Sequence, residues 1–369
     1  MPLIINTDVI SSPPEATTRV GSEDTFTCPL PLPAGGRILL GHGSGGKLSN
    51  ELVRDIFLPA LGNPALNRLE DQAVVHLKDS RLAISTDSFV VKPLFFKGGD
   101  IGSLAVHGTI NDLAMGGAIP LWLTAGFILE EGLPVEVVRR VAQSMHEAAA
   151  AAGVQIVTGD TKVVERGSAD GMFINTTGIG LVREGIFLSA EQARPGDAII
   201  VSGMLGDHGI AILAEREGLQ FETAVLSDSA ALHTLVARLL EDAGGEVRCM
   251  RDPTRGGLSS TLNEIAASSR VGMELDETSI PVREEVRGAC EMLGLDPLYV
   301  ANEGKLVAIV SPEAASRALQ ALQSHPLGKD ARIIGRVTEA HPRMVVMRTA
   351  LGTTRIVDML AGDQLPRIC

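Results

Sequence analysis

An α+β fold in two sheet-based halves is predicted by three features of this 369-residue chain. Its length exceeds the usual size of one domain. Apolar residues make up 45% but aromatic residues only 3%, so the interior is built mainly from Ala, Val, Ile and Leu, which suits helices packed on sheets. Strand-like runs outnumber helical ones and several are long, which favours a mixed sheet over strict alternation of strand and helix.

The elements follow in order. Residues 1–36 mix Ser, Thr and Pro and finish in CPLPLPAGG without apolar periodicity, so a flexible extension is expected there. Order is expected from Arg37: RILL as a short strand, GHGSGG as a glycine loop, and KLSNELVRDIFLPAL as a helix carrying Leu48, Leu52, Ile56 and Leu61 at helical spacing. Strands AVVHLK and RLAIST come next, then helix DIGSLAVHGTINDLAMGG, strand LWLTAGFIL, helix VEVVRRVAQSMHEAAAAAG, and strands VQIVTG and GMFINTTGIGLV. These make a first domain over 37–192. Pro195 and Gly196 in ARPGDAIIVSG punctuate a boundary before a fresh apolar strand. The second domain, 193–358, continues with helices near 207–217 and 228–242, a loop RDPTRGG opening a helix, and strand VGMEL. Helix VREEVRGACEMLG, strand KLVAIV, helix PEAASRALQALQS and strands ARIIGRV and MVVMRT complete it. Residues 359–369 show no period and contain Pro366, so a mobile tail is expected.

A formal charge of −13 leaves no basic footprint, so neither nucleic acid nor an anionic membrane surface is an expected partner. No apolar stretch reaches the roughly 18 residues of a spanning helix, and Met1–Gly36 lacks the charged start and apolar block of a signal peptide. The expected compartment is the cytoplasm. There Cys28, Cys249, Cys290 and Cys369 stay reduced, without the CxxC spacing of a metal or dithiol site. Cys249 and Cys290 are expected to be plainly buried. The eight histidines show no HxxxH or HxH spacing, which argues against zinc.

GHGSGGKL, Gly41–Leu48, approaches the phosphate-loop pattern GxxxxGK[ST], but Leu48 has no hydroxyl for Mg²⁺. Its backbone N–H groups and Lys47 could still attract a polyphosphate, with a tight structural turn as the equal alternative. Asp71, Asp87, Asp112, Asp160 and Asp252 mostly sit beside apolar runs, where a sheet places strand ends. Such aspartates are often turn formers or caps; several at comparable positions fit a hard cation that wants oxygen ligands and bridges phosphates. By composition, Lys162 in GDTK and Glu303 in ANEGK read as solvated charges at element edges. Cys369, behind Pro366 and Arg367, reads as a nucleophile or carrier: the neighbouring Arg favours its thiolate and its own carboxylate opposes it. About ten extended residues span roughly 33 Å, enough to carry a covalently held group between two sites.

From about Cys28 to Cys369 the sequence resembles the HypE family of hydrogenase maturation proteins, the carbamoyl dehydratases. The resemblance rests on CPLPLP, LLGHGSGGKL, LEDQA, STDSFVVKPLFFKGGDIGSLAVHGTINDLAMGGAIP, GFILEEGLP, IVTGDTKVV, RDPTRGGL, ANEGKLV, SHPLGKDA and the terminal PRIC. Residues 1–27 look like an extension beyond the usual family start. The resemblance implies the two-domain PurM-like fold shared with aminoimidazole ribonucleotide synthetase and selenophosphate synthetase, dimerising through its N-terminal sheet. It further implies ATP in a cleft formed with the dimer partner, reached by Gly43, Gly45, Gly46, Lys47, Asp87 and Asn111, together with Asp160, Thr161 and Lys162. Mg²⁺ is implied on Asp71, Asp87, Asp112 and Asp252. The implied activity is ATP-dependent dehydration of a carbamoyl group on Cys369 to a thiocyanate, with Lys162 stabilising phosphoryl charge and Glu303 as base. Carbamoyl would come from the carbamoyltransferase HypF, and cyanide would pass to the HypC–HypD complex for the iron of a [NiFe] hydrogenase. Selenophosphate synthetases carry a reactive Cys or selenocysteine near the loop lysine, where this chain has His42 and Ser44.

Overall fold

The computed structural model describes residues 38, 40–43, 45–78, 80–219, 224–360, 362, 365 and 367–369. The expected extension 1–36 with Cys28, and also Ser44 and Pro366, lie outside the described residues. Leu40–Gly43 is a 3-10 turn where a strand running into a loop was expected. Helix α1, Lys47–Leu52, passes through a π-helical stretch, Val53–Phe57, into α2, Leu58–Leu61. The wider turn rotates the apolar stripe. Leu48 is therefore buried while Ile56 and Leu61 face solvent.

The first sheet is built from β1 (Ala73–Leu77), β2 (Ser80–Phe89), β5 (Ala118–Glu130), β6 (Gln155–Val164) and β7 (Met172–Val182). A short pair, β3 (Phe95–Phe96) and β4 (Gly99–Asp100), precedes α3 (Ile101–Met115), and α4 (Val135–Ala151) lies between β5 and β6. Spatial order is β1-β2-β7-β5-β6. Only β5 and β6 run parallel, which the intervening α4 permits. Asp100 starts α3 with a capping box: its carboxylate accepts from the N–H groups of Gly102 and Ser103, and its own N–H donates to Ser103 Oγ. Helices α3 and α4 cover one face, burying Phe89, Ile101, Leu104 and Ile110 with Val141 and Met145. The opposite face exposes Ile84, Ile119, Trp122, Ile128 and Leu181.

The second sheet takes β8 (Ala198–Val201), β9 (Val247–Arg251), β10 (Gly272–Asp276), β11 (Val307–Val310), β12 (Arg332–Thr338), β13 (Val345–Arg348) and β14 (Thr354–Ile356). Its order is β14-β13-β10-β12-β8-β11-β9. The helices are α5 (Asp207–Glu217), α6 (His233–Ala243), α7 (Gly257–Ser269), α8 (Glu284–Leu293) and α9 (Ala315–Gln323). Strands β8 and β11 are buried throughout. Ile199, Val201, Val307 and Ile309 pack with α7, and Ile200, Ala308 and Val310 pack with α6 and α9. Burial on both faces explains why these strands read as unbroken apolar runs. Helix α6 begins five residues later than its apolar pattern suggests, because residues 228–232 form a loop held by side chains described below.

The tail was expected to be mobile; in this structure its end is docked. Val90 N–H donates to the Cys369 carbonyl and Lys92 N–H to that of Arg367, an antiparallel pairing that extends the line of β2. Ile368 and Cys369 join the core under the first sheet. Cys249 and Cys290 are free and buried, as expected. Among the described residues no helix is long and apolar enough to cross a membrane.

Candidate active site

All four aspartates expected to hold metal line one cleft of about 340 Å³, together with His42, Gly43 and Gly45 of the glycine loop. Asp71 precedes β1, Asp87 lies near the end of β2, Asp112 is on the last turn of α3, and Asp252 follows β9. Two sheets and a helix thus bring sequence-distant carboxylates together. The Ser85 hydroxyl donates to Asp112 Oδ2 at 2.5 Å, and Arg251 reaches Asp71 at 3.1 Å and Glu264 at 2.9 Å. Burial pushes Asp71 up to about 6 against the pull of Arg251, with Glu264 and Glu70 adding to the rise, and burial and then Asp71 push Asp252 up to about 8. Asp112 rises well above the usual range, first through burial and then through Asp252, Asp87 and Asp71. Carboxyls that resist ionising next to one another are what an added cation would relieve.

Among the described residues no three His, Cys, Asp or Glu side chains converge on one metal position. The aspartates line the cleft without forming a closed cage. That fits Mg²⁺, which keeps several waters and takes part of its shell from phosphates.

The glycine loop serves the protein as much as any ligand. Gly45 has φ +72°, and a Cβ there would lie 2.7 Å from the Arg255 carbonyl; one on Gly46 would lie 2.2 Å from that of Leu360. Lys47 donates to Leu360 through its backbone and pairs with Asp358 at 2.6 Å. Gly46 and Lys47 therefore anchor the start of the tail, while Gly43 stays exposed at the mouth of the cleft.

Glu303 is not a solvated edge charge. It is 3% exposed, its N–H donates to Asp228 Oδ1 at 3.1 Å, and its carbonyl accepts from Asn111. Asn111 also bonds Ala230 O and Leu232 N, so its amide holds the 228–232 loop and the Glu303 backbone. Its contacts lie away from the cleft lining. Burial, then Asp252 and Asp87, raises the Glu303 carboxyl well above its ordinary range. The Glu303 carboxyl helps to raise the Cys369 thiol, and Glu303 Oε1 is buried without a partner. Cys369 itself is 8% exposed, and burial raises its thiol further than Arg255 lowers it. The thiolate-favouring neighbour is thus Arg255; Arg367 pairs with Asp170.

Asp160, Thr161 and Lys162 lie elsewhere in the single chain. They sit on the exposed edge strand β6, where Lys162 pairs with Asp160 at 2.5 Å and both side chains are 70% exposed. Sequence reasoning missed three residues that shape the site. Arg255 was visible only as the second Arg of RDPTRGG. Asp228, buried and paired with Lys305 at 2.9 Å, carries the Glu303 loop. His208, at the start of α5, donates through Nε2 to the Ile368 carbonyl at 2.6 Å and accepts at Nδ1 from Ser227. A carbonyl has no proton to give, so this fixes the tautomer. No motif marks His208.

A two-sheet fold gathering carboxylates under a glycine-rich turn defines a class: the N-terminal domain of AIR synthase related proteins matches residues 69–182 and the C-terminal domain residues 194–347. Carbamoyl dehydratase HypE of Azotobacter vinelandii is 58% identical over 334 residues, covering 90% of this chain and 98% of that protein. The HypE of Escherichia coli K12 is 49% identical over 337 residues, covering 90% and 99%. Among solved structures, a HypE–HypF complex matches with TM-score 0.80 at 49% identity, covering 84% of this chain and 99% of that one. A HypE in complex with ATP matches with TM-score 0.76 at 53% identity, covering 90% and 100%. The chain belongs to the carbamoyl dehydratase HypE family.

Proposed function

We propose that this chain dehydrates a carbamoyl group carried on its own Cys369, converting the S-carbamoyl group, a thiocarbamate, to a thiocyanate at the expense of ATP, in the cytoplasm. The observation that carries this reading is the docked tail, which buries Cys369 where the buried Glu303 carboxyl acts on its thiol; Glu303 Oε1 has no partner. An orphaned acceptor beside the thiol is where a carbamoyl N–H would find its hydrogen bond. Oxide is a very poor leaving group, so the carbonyl oxygen must first take a phosphoryl group from ATP; loss of phosphate and of the N–H protons then leaves S–C≡N. Glu303 accepts the proton from nitrogen, and its burial makes it a stronger base. Tethering makes the step intramolecular, which supplies several kcal/mol through proximity.

Asp71, Asp87, Asp112 and Asp252 would hold Mg²⁺, whose chemistry is to neutralise charge on the phosphates. Gly43 and Gly45 would bring backbone close to the nucleotide. Asp160, Thr161 and Lys162 would reach it from a second copy, paired through the open apolar face of the first sheet. A relative's structure with HypF supports a carbamoyl supply from that partner; the cyanide would then pass to a HypC–HypD complex.

The test is intact-mass spectrometry after incubation with HypF, carbamoyl phosphate and ATP, with mapping of the C-terminal peptide. Gain of carbamoyl and then loss of one water, both on Cys369, is expected. A carbamoyl that persists while ATP is hydrolysed would replace the dehydratase by an ATP-gated carrier.

A further inference from the structure

Arg255 stands between the nucleotide cleft and the tail thiol. It lies in the turn between Asp252 and α7 and lines the same cleft as the four aspartates. Its Nη1 donates to the Gly43 carbonyl at 2.8 Å. Its Nη2 is 3.8 Å from Asp87 Oδ1, beyond hydrogen-bond distance. The other guanidinium lining the cleft, Arg251, is committed to Asp71 and Glu264 through Nη1 and to the Leu69 carbonyl through Nη2. Arg255 thus retains donor capacity at the mouth of an acidic cleft.

Its backbone is fixed from both sides. The Gly45 turn packs against the Arg255 carbonyl, and Gly256 at φ +77° follows it. The carboxylates that act on the guanidinium are Asp87, Glu303 and Asp112, and the Cys369 thiol lies within electrostatic reach of it. Arg255 thus stands in the acidic cleft and within reach of the tail thiol. Phosphoryl transfer into this centre brings further negative charge among carboxylates. Lys162, the expected neutralising cation, is on the exposed edge strand of its own chain.

We propose that Arg255 is a catalytic residue, binding the phosphoryl oxygens during their transfer from ATP to the carbamoyl oxygen on Cys369 and remaining on the O-phosphorylated group until phosphate departs. The proposal rests on the dehydratase reading. The carbamoyl oxygen forms a bond to the γ-phosphorus as the γ-phosphorus–oxygen bond to ADP breaks, its electron pair leaving on ADP. The C–O bond then breaks with its pair on phosphate while nitrogen loses its two protons, the first to Glu303 and the second to the departing phosphate, and C≡N forms. Arg255 exchanges no proton, since a guanidinium stays charged; it acts by charge-assisted, two-pronged hydrogen bonding to the anion.

The test compares full-length wild type, Arg255→Ala and Arg255→Lys, each with Mg²⁺. Calorimetry gives affinities for ADP and for the β,γ-imido analogue of ATP, and single-turnover mass spectrometry follows pre-carbamoylated Cys369. Arg255→Ala is expected to lose about tenfold or more in affinity for the triphosphate analogue with ADP nearly unchanged, and to slow cyanation by about 10³-fold, the scale of removing a transition-state cation. Arg255→Lys should recover part of both. Equal loss of ADP and analogue affinity would show a merely structural residue, and normal cyanation by Arg255→Ala would remove it from the chemistry. Failure of the dehydratase reading is separate: wild-type S-carbamoyl-Cys369 would then never lose water, which overturns both.

Discussion

Replacing Ile368 by Ala should expose the terminal thiol without unfolding the protein. Ile368 is 5% exposed and packs in the core under the first sheet, and its carbonyl is held by His208. Truncating a buried Ile to Ala costs about 2–4 kcal/mol. Here that cost falls on the docked state of the tail alone, because the undocked tail already has the side chain in water. At about 1.36 kcal/mol per tenfold, the open population rises about 30-fold to 900-fold. Alkylation by iodoacetamide, followed by peptide mass spectrometry, reads this directly, since the buried Cys369 reacts through the open state. Cys249 and Cys290, both 1% exposed, serve as internal controls for global unfolding. An unchanged Cys369 rate would refute the docking energetics argued here. A parallel rise at all three cysteines would show instead that the core had loosened.

Glu303→Gln should accept carbamoyl on Cys369 normally yet dehydrate it about 10²-fold or more slowly, the scale of losing a general base; normal turnover would take Glu303 out of that role. If Lys162 acts across a dimer, mixing inactive Lys162→Ala and Cys369→Ala proteins should restore cyanation on the former's Cys369, and a mixture that stays inactive would place Lys162 outside the reaction. The raised carboxyls of the cleft, about 6 at Asp71 and about 8 at Asp252, bind more protons folded than unfolded. Metal-free stability should therefore fall as pH rises through that window. Mg²⁺ takes the ionised cluster, so the rise in Tm on adding it should be larger at pH 8 than at pH 6; an equal or smaller rise at pH 8 would separate these aspartates from the metal.

The fold class was legible because period and burial agree over most of the chain. Helix α3, strand β5 and helix α5 stand where their apolar patterns put them. The misses have physical causes. The π-helical stretch Val53–Phe57 breaks a regular period that composition cannot distinguish from a straight helix. Strand β14 is three residues long and polar. The aspartates could be picked out individually at element ends, but their convergence depends on two sheets and α3 meeting. Glu303 looked like a surface charge because nothing local announces that Asp228, 75 residues upstream, binds its backbone. Asn111 shows the converse: a polar residue in the TINDLAMGG motif whose side chain braces a loop.

On the proposed reaction, the docked tail would have to be stable enough to exclude water and loose enough to present Cys369 to another protein. Its contacts are suited to that balance. Arg367 adopts a left-handed φ of +60°, a conformation that costs a non-glycine residue on the order of 1 kcal/mol or more. Against this stand the Arg367 ion pair with Asp170, two backbone hydrogen bonds, the Arg216 and His208 bonds to the tail carbonyls, and burial of Ile368. Each is modest, and together they hold one short segment. A ligand shifts a docking equilibrium only by its differential affinity. Arg255 lines the cleft and lies within electrostatic reach of Cys369, so on the proposal above nucleotide bound in the cleft would favour the tail-in state through it. Protection of Cys369 from alkylation should accordingly increase with the triphosphate analogue in the wild type and not in Arg255→Ala.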